Sequence, residues 1–263
     1  MTHLFFQVLV IGIYLGLAFY FRRDHLPQAF GVATWLLAIA LVLHGYVLYS
    51  TLFADGINLN MANALSLIGW LTVLFYWLLN FKYPITRLHT FALPVVATLS
   101  VLPYFFARSH YLVPIPPPVL LLHIGLAMLA YGLLTLASLH ALFMMLANRA
   151  LHHPTQLEHF AFPPLMAMEV LLFRLLLVGF SLLTVTLLSG MLFSEQLFGQ
   201  AVQLKHKTVF SISAWFIYAT LLLGRYHYGW RGRKALRLVL FGFVLLLLAY
   251  VGSKFVLEVL LGR

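Results

Sequence analysis

The 263 residues are 63% hydrophobic and only 8% charged, which is too few ionisable groups to cover a water-facing globule. The formal charge of +10 lies in short turns between apolar runs, which argues against a nucleic-acid-binding domain. Cysteine is absent, so disulfides, thiolate ligands and iron–sulfur clusters are excluded. The composition predicts an integral membrane protein whose cofactors are held by His, carboxylate or Met.

Apolar runs of about 20 residues recur along the chain, each long enough to cross a hydrocarbon core of roughly 30 Å. They are continuous rather than alternating, which favours helices over a β-barrel. The predicted spans are residues 4–21, 29–53, 61–80, 88–107, 119–147, 165–193, 206–224 and 235–261. We therefore expect an all-α bundle of eight transmembrane helices that forms a single membrane domain over residues 1–263, with the first span retained.

The basic residues predict the orientation, because Lys and Arg beside spans stay on the cytoplasmic side. Ten lie in the first, third, fifth and seventh connections, and five lie on the opposite face. This asymmetry places both termini in the periplasm. Attraction to anionic headgroups explains the excess charge, so membrane lipid is a predicted partner and nucleic acid is not.

Three of the twelve histidines are predicted to lie at similar depth in the outer leaflet. His44 falls slightly outward of the middle of the second span, while His123 and His206 begin the fifth and seventh spans. His140 lies 17 residues beyond His123, about 25 Å deeper, so these two cannot serve one metal. His89 belongs to the opposite face. We expect His44, His123 and His206 to converge on one site.

The chemistry of such a site is open from the residues alone. Two imidazoles are a common way to hold a haem iron, and the 16% aromatic content supplies flat walls for a porphyrin. Each histidine is equally explained as an interfacial side chain that bonds a carbonyl or a headgroup.

Arg174 lies well inside the sixth span, where a guanidinium without an acceptor is costly. We expect its side chain to point into the bundle. Its acceptor would be helix-end carbonyls, Glu169, or an anionic ligand such as a haem propionate.

Residues spread over the second half of the chain resemble the core of the cytochrome c assembly family, the CcsA and CcmC group that handles haem. Leu122-His123 with Ala130-Tyr131 is similar to the helix that carries the family's first external histidine, and the resemblance covers residues 119–261. The other matching positions are Glu169, Arg174, Gly179-Phe180, Leu183-Thr184, Ser189-Gly190, Phe198-Gly199, Lys207, Trp215, Tyr218-Ala219, Arg225 and Gly229-Trp230-Arg231-Gly232.

The departures from the family pattern concern the parts that present haem. The tryptophan-rich WGxxWxWDPK loop of the family is replaced here by a segment with Phe198, Val202, Leu204 and Lys205, and Leu223 stands where the family has a membrane histidine. In this the chain resembles the YpjD- and HemX-like branch. The resemblance implies an eight-helix haem-related membrane protein with His123 and His206 as axial ligands, and it does not imply ligase activity.

The leading hypothesis is a bacterial inner-membrane protein that binds or hands on haem b near the outer leaflet. His123 and His206 would be the axial pair and His44 a reserve ligand, with Arg174, Lys205 or Lys207 beside propionates or headgroups. Partners would be haem-delivery or membrane-complex proteins. We expect no enzymatic activity, because no carboxylate, Ser/His/Asp or metal-hydroxide arrangement is evident.

The alternative is a haem-free accessory subunit of a transporter or assembly complex, which the missing tryptophans and histidines favour. The hypothesis of a small transporter has less support, because the charge within the spans is almost limited to Glu169 and Arg174 and no paired broken helices are evident.

Overall fold

The predicted apolar runs are helices in the structure, a computed structural model that describes residues 2–22, 31–53, 56–83, 88–106, 118–152, 164–192 and 206–255. The eight long helices in these ranges are α1 Thr2–Arg22, α2 Val32–Phe53, α3 Met61–Asn80, α4 His89–Phe105, α5 Pro118–His152, α6 Leu165–Leu192, α7 His206–Tyr228 and α8 Arg233–Leu247. The all-α polytopic fold is therefore confirmed.

Seven helical segments in the described ranges are long and apolar enough to cross a membrane, and α4, with 17 residues, is shorter. Its length still lies at the lower limit of about 17 residues for a transmembrane helix. The main differences from the predicted spans are at helix ends. At 35 residues, α5 runs past the predicted end at 147, and α7 continues to Tyr228, so Arg225 lies on a helix rather than in a turn.

The last predicted span is not one regular α-helix. A π-helical turn, Leu248–Gly252, follows α8 and leads into the helical turn Ser253–Phe255, while residues 256–261 of the prediction lie outside the described residues. The Ser253 hydroxyl is within hydrogen-bonding distance of both the Ala249 and the Tyr250 carbonyl, at 2.9 and 3.0 Å. Such back-bonding competes with the regular backbone ladder and often bends helices.

Contacts between residues group the chain into two compact units. The first unit comprises Met1–Leu112 and Phe143–Met168, and the second comprises Val113–Leu142 and Glu169–Arg263. Helix α5 thus contributes to both. The sequence-based description of one membrane domain over residues 1–263 stays a prediction.

In the first unit, α1 packs on α2 and α4, and α3 packs on α2 and α4. One face of α1 carries the buried side chains Val10, Tyr14, Leu17 and Phe21, at the spacing of a single helical stripe. Small residues allow close packing, as at Gly45, where an added Cβ would lie 3.4 Å from the Trp70 indole nitrogen.

The second unit uses glycines in the same way. An added Cβ at Gly179 of α6 would lie 2.8 Å from Leu134 of α5, and one at Gly242 of α8 would lie 2.9 Å from the Tyr218 ring of α7. In lipid, where apolar burial drives little association, such close approach is a main source of helix packing energy.

Gly242→Ala is expected to lower the free energy of unfolding by about 1–2 kcal/mol, because the fully buried Tyr218 ring has to shift. Gly125→Ala is the matched control, since an added Cβ on this helical glycine meets nothing within 4 Å. Thermal unfolding in detergent should show a lower Tm for Gly242→Ala and an unchanged or slightly higher Tm for Gly125→Ala. Equal Tm values for the two variants would contradict the packing described.

Candidate histidine site in the second unit

His123 lies in the second turn of α5 and is held by the last turns of α6. Its Nδ1 lies 2.8 Å from the Ser189 hydroxyl, and that hydroxyl lies 3.0 Å from the Thr186 carbonyl. A serine hydroxyl has a single proton. That proton goes either to the Thr186 carbonyl, with Nδ1–H donating to Ser189, or to an unprotonated Nδ1, and in both arrangements the bond holds the orientation of the imidazole.

Of the two tautomers that this contact accommodates, the Nδ1-protonated one suits metal binding through Nε2. With Nδ1 protonated, the lone pair of the neutral ring resides on Nε2, the form in which imidazole binds metals. The next residue, Gly190, gives the ring space, because an added Cβ there would lie 3.2 Å from Cε1 of His123. The Ser189-Gly190 pair, singled out by the sequence only as part of a resemblance, therefore orients the ring and makes room for it.

His206 and Lys207 are the first two residues of α7, and both side chains are exposed. The Lys207 ammonium lies 5.7 Å from the centroid of the Tyr250 ring. Its charge is also close enough to the His123 ring to interact with it electrostatically. Lys207 at the start of α7 therefore lies in the neighbourhood of His123, while the pairing of His123 with His206 stays a prediction.

Two tyrosines that sequence reasoning did not assign to the site extend this neighbourhood. The Tyr131 hydroxyl of α5 donates to the Leu246 carbonyl at 3.2 Å, and its ring lies 5.7 Å from that of Tyr250. Tyr250 belongs to the π-helical turn, and such turns occur frequently at functional sites. The apolar sequence of the last span gives no indication of the π-helical turn. Tyr131, in contrast, was part of the family resemblance.

His44 lies in the first unit and is fully buried. Its Nδ1 is 3.2 Å from the Tyr14 hydroxyl and its Nε2 is 3.0 Å from the Ser66 hydroxyl. Both ring nitrogens thus have hydroxyl partners contributed by α1 and α3. To bind iron, the His44 ring would have to lose one of these two hydrogen bonds. Its role as a reserve ligand stays a prediction.

Three other histidines in the described ranges have different surroundings. His89 is buried at the start of α4, where its Nδ1 is 2.7 Å from the Tyr76 hydroxyl and its ring stacks on Phe21 at 4.4 Å. His140 is buried on α5, and His227 is exposed at the end of α7. Lys205, expected near the site, lies outside the described residues.

The expectation for Arg174 is corrected by the structure. Its side chain is exposed on α6 and is not buried in the bundle. Its expected acceptor, Glu169, binds Arg225 of α7 in an ion pair. Arg225 also lies 4.7 Å from the Phe173 ring centroid. The misassignment arose because a position within an apolar run gives depth in the membrane but not which way a helix face points.

Comparison with known proteins is consistent with this architecture. The model of the family described as "Cytochrome C assembly protein" matches residues 32–261. The chain is 34% identical to the inner membrane protein YpjD of Escherichia coli (strain K12) over 235 residues, which is 84% of this chain and 85% of that protein. The chain belongs to the cytochrome c assembly family.

Two further proteins are also similar to the chain. The chain is 26% identical to the cytochrome c biogenesis protein CcsA of Prochlorococcus marinus (strain AS9601), covering 94% of this chain and 91% of that protein. An uncharacterized 28.8 kDa protein of Azospirillum brasilense is 39% identical over 143 residues, 54% of this chain and 52% of its own length. No solved structure matches the chain. The family match begins at residue 32, upstream of the segment 119–261 that carries the resemblance.

Proposed function

We propose that this cytochrome c assembly family member binds haem b and hands it on near the periplasmic end of its second unit, in the bacterial inner membrane. His123 and His206 would hold the haem iron. The observation that carries the proposal is the hydrogen-bond chain from His123 through Ser189 to the Thr186 carbonyl. A ring held in the Nδ1-protonated tautomer and oriented by a neighbouring group is the usual arrangement of a metal-binding histidine.

The residues present fit a haem in three further respects. Gly190 leaves space beside the His123 ring, and aromatic rings of Tyr131 and Tyr250 lie in the same unit. His206 is exposed at the start of α7, next to a lysine whose charge is felt at His123. When bound, haem would supply a redox-active iron, while the chain would orient it and control its access to water.

Of the three cations expected beside haem propionates, Lys205 lies outside the described residues, and Lys207 is better placed than Arg174. It adjoins His206 and lies near the Tyr250 ring. Arg174 is 15 residues before Ser189 on the continuous helix α6, about 22 Å along its axis. A carboxylate held at Lys207 would form a charge-assisted hydrogen bond with the ammonium, which is about twice as strong as a neutral one.

Ser189→Ala tests the orienting bond without removing a ligand. Loss of a group that orients a metal-binding histidine lowers metal affinity about 10- to 100-fold, so we expect the variant to release haem to an apo-myoglobin acceptor correspondingly more readily. Ser181→Ala is the matched control, because Ser181 is on the same helix and bonds only the Leu177 carbonyl, at 2.9 Å. Equal haem transfer from both variants and wild type would contradict the role of Ser189.

The alternative function is that of a haem-free accessory subunit. Purified wild-type protein tests it. It predicts a colourless protein after expression with abundant haem, together with a membrane partner that co-purifies in fixed ratio. A haem spectrum that depends on His123 would rule it out.

A further inference from the structure

The turn between α7 and α8 carries an exposed cluster of cationic side chains. We define this basic hairpin as Arg231, Arg233, Lys234 and Arg237, all four of which are exposed. These four residues lie within a stretch of seven positions, 231–237, and the whole chain has 16 Lys and Arg. Neither the histidine site nor the helix packing of the second unit uses their charges.

The one carboxylate side chain in the described part of the chain is Glu169, and it is already paired with Arg225. Arg225 also donates to the Trp230 carbonyl at 3.5 Å. The described ranges thus offer the four cations of the hairpin no carboxylate other than Glu169.

The hairpin has a well-defined backbone. The Trp230 amide donates to the Gly224 carbonyl at 3.1 Å, and the Trp230 ring covers Gly224 so closely that an added Cβ would overlap it. Gly229 and Gly232 flank the turn with φ of +62° and +63°, a region that glycine adopts without strain. The four charges are consequently held on a preformed surface.

Two of the cations occupy positions that helix electrostatics disfavour. Arg233 and Lys234 are in the first turn of α8, which contains no acidic residue, and the preceding Gly232 provides no side-chain cap. The positive end of the helix dipole favours anions there and repels cations. Arg237 adds a third charge one helical turn further on, on the same face as Arg233. An external anion would relieve this repulsion.

Aromatic side chains next to the cluster place it at the level of lipid headgroups. Tyr226 and Tyr228 are 83% and 78% exposed, as expected for the aromatic belt of a membrane protein. The Lys234 ammonium lies 3.3 Å from the centroid of the Trp230 ring, which holds it beside this belt.

We propose that the basic hairpin binds the headgroup of an anionic phospholipid, with phosphate oxygens accepting from the three arginines. The site is independent of the proposed haem function. A phosphate group matches the planar fork of arginine, and cationic pockets at this level of a membrane protein suit phosphate-bearing headgroups. A lipid with two phosphates should bind more tightly than one with a single phosphate, because the charges are spread over a turn and a helix.

The test compares lipid binding by two triple variants with equal loss of charge. Arg231→Gln/Arg233→Gln/Arg237→Gln removes the three arginines and keeps the contact between Lys234 and Trp230. Arg22→Gln/Lys82→Gln/Arg149→Gln removes three exposed cations from three other connections on the same predicted membrane face. Full-length proteins in detergent are titrated with cardiolipin, phosphatidylglycerol or phosphatidylethanolamine, and bound lipid is counted by native mass spectrometry.

We expect the hairpin variant to bind cardiolipin about 100-fold more weakly than wild type, since three basic side chains near a lipid surface contribute about 3 kcal/mol and about 1.4 kcal/mol corresponds to a factor of ten. The control variant should keep wild-type affinity within a factor of about three. Equal loss in both variants would overturn the proposal in favour of general charge attraction. Competition by inorganic phosphate at millimolar concentration would overturn it in favour of a free-anion site. The single variant Arg231→Gln, whose residue lies outside both helices, gives the same comparison if the triple variant fails to fold.

Discussion

Replacing His123 with alanine is expected to lower haem affinity more than 100-fold, beyond the effect of losing only an orienting group. In the proposed site the His123 ring, oriented by Ser189, supplies the Nε2 lone pair, and alanine offers no donor in its place. The measurement is the haem content of protein purified from haem-replete cells, together with the absorption spectrum after reconstitution with excess haem.

His227→Ala is the matched control for this loss, because His227 is exposed at the far end of α7. Its haem content should equal that of wild type. A His123→Ala protein with wild-type haem content and an unchanged spectrum would remove His123 from the iron's ligands. A folded but colourless wild type would remove the haem site altogether.

The second large effect is expected at the ion pair between α6 and α7. Glu169→Ala leaves the Arg225 guanidinium without its carboxylate partner next to lipid. Breaking a buried pair costs about 3–5 kcal/mol, and partial exposure of this pair reduces our expectation to about 2–3 kcal/mol of unfolding free energy. The Arg225 side chain is 33% exposed and that of Glu169 11%. The lowered Tm should be evident by thermal unfolding in detergent.

The double variant Glu169→Leu/Arg225→Met separates loss of the pair from loss of packing. Two apolar side chains of similar length leave no charge in need of a partner, so its Tm should exceed that of Glu169→Ala. If the losses of the single variants Glu169→Leu and Arg225→Met instead add up to the loss of the double variant, the two residues are not energetically coupled and the pair does not stabilise the second unit.

The helices could be predicted from the sequence because each is a continuous apolar run, and lipid permits such runs only one regular structure. The predicted spans 61–80, 165–193 and 206–224 begin at or within a residue of α3, α6 and α7. The predicted helix ends were less accurate where a helix leaves the membrane. At Tyr228, for example, the helix continues although the hydropathy of the sequence has already fallen.

The side-chain pairings of the site could not be read in the same way. Glu169 and Arg225 are 56 positions apart, and His123 and Ser189 are 66 positions apart. Periodicity gives the face of one helix but not the rotation of its neighbour, so Arg174 was assigned to the interior although its side chain is exposed. For the same reason Ser189 could be recognised as part of a family motif, while its contact with the His123 ring required the structure.

Electron paramagnetic resonance of the purified ferric protein tests the central claim most directly. Two imidazole ligands, from His123 and His206, predict a low-spin signal that is lost in His123→Ala and in His206→Ala and kept in His227→Ala. A high-spin signal in wild type, or a low-spin signal that survives both ligand substitutions, would contradict axial ligation by this pair.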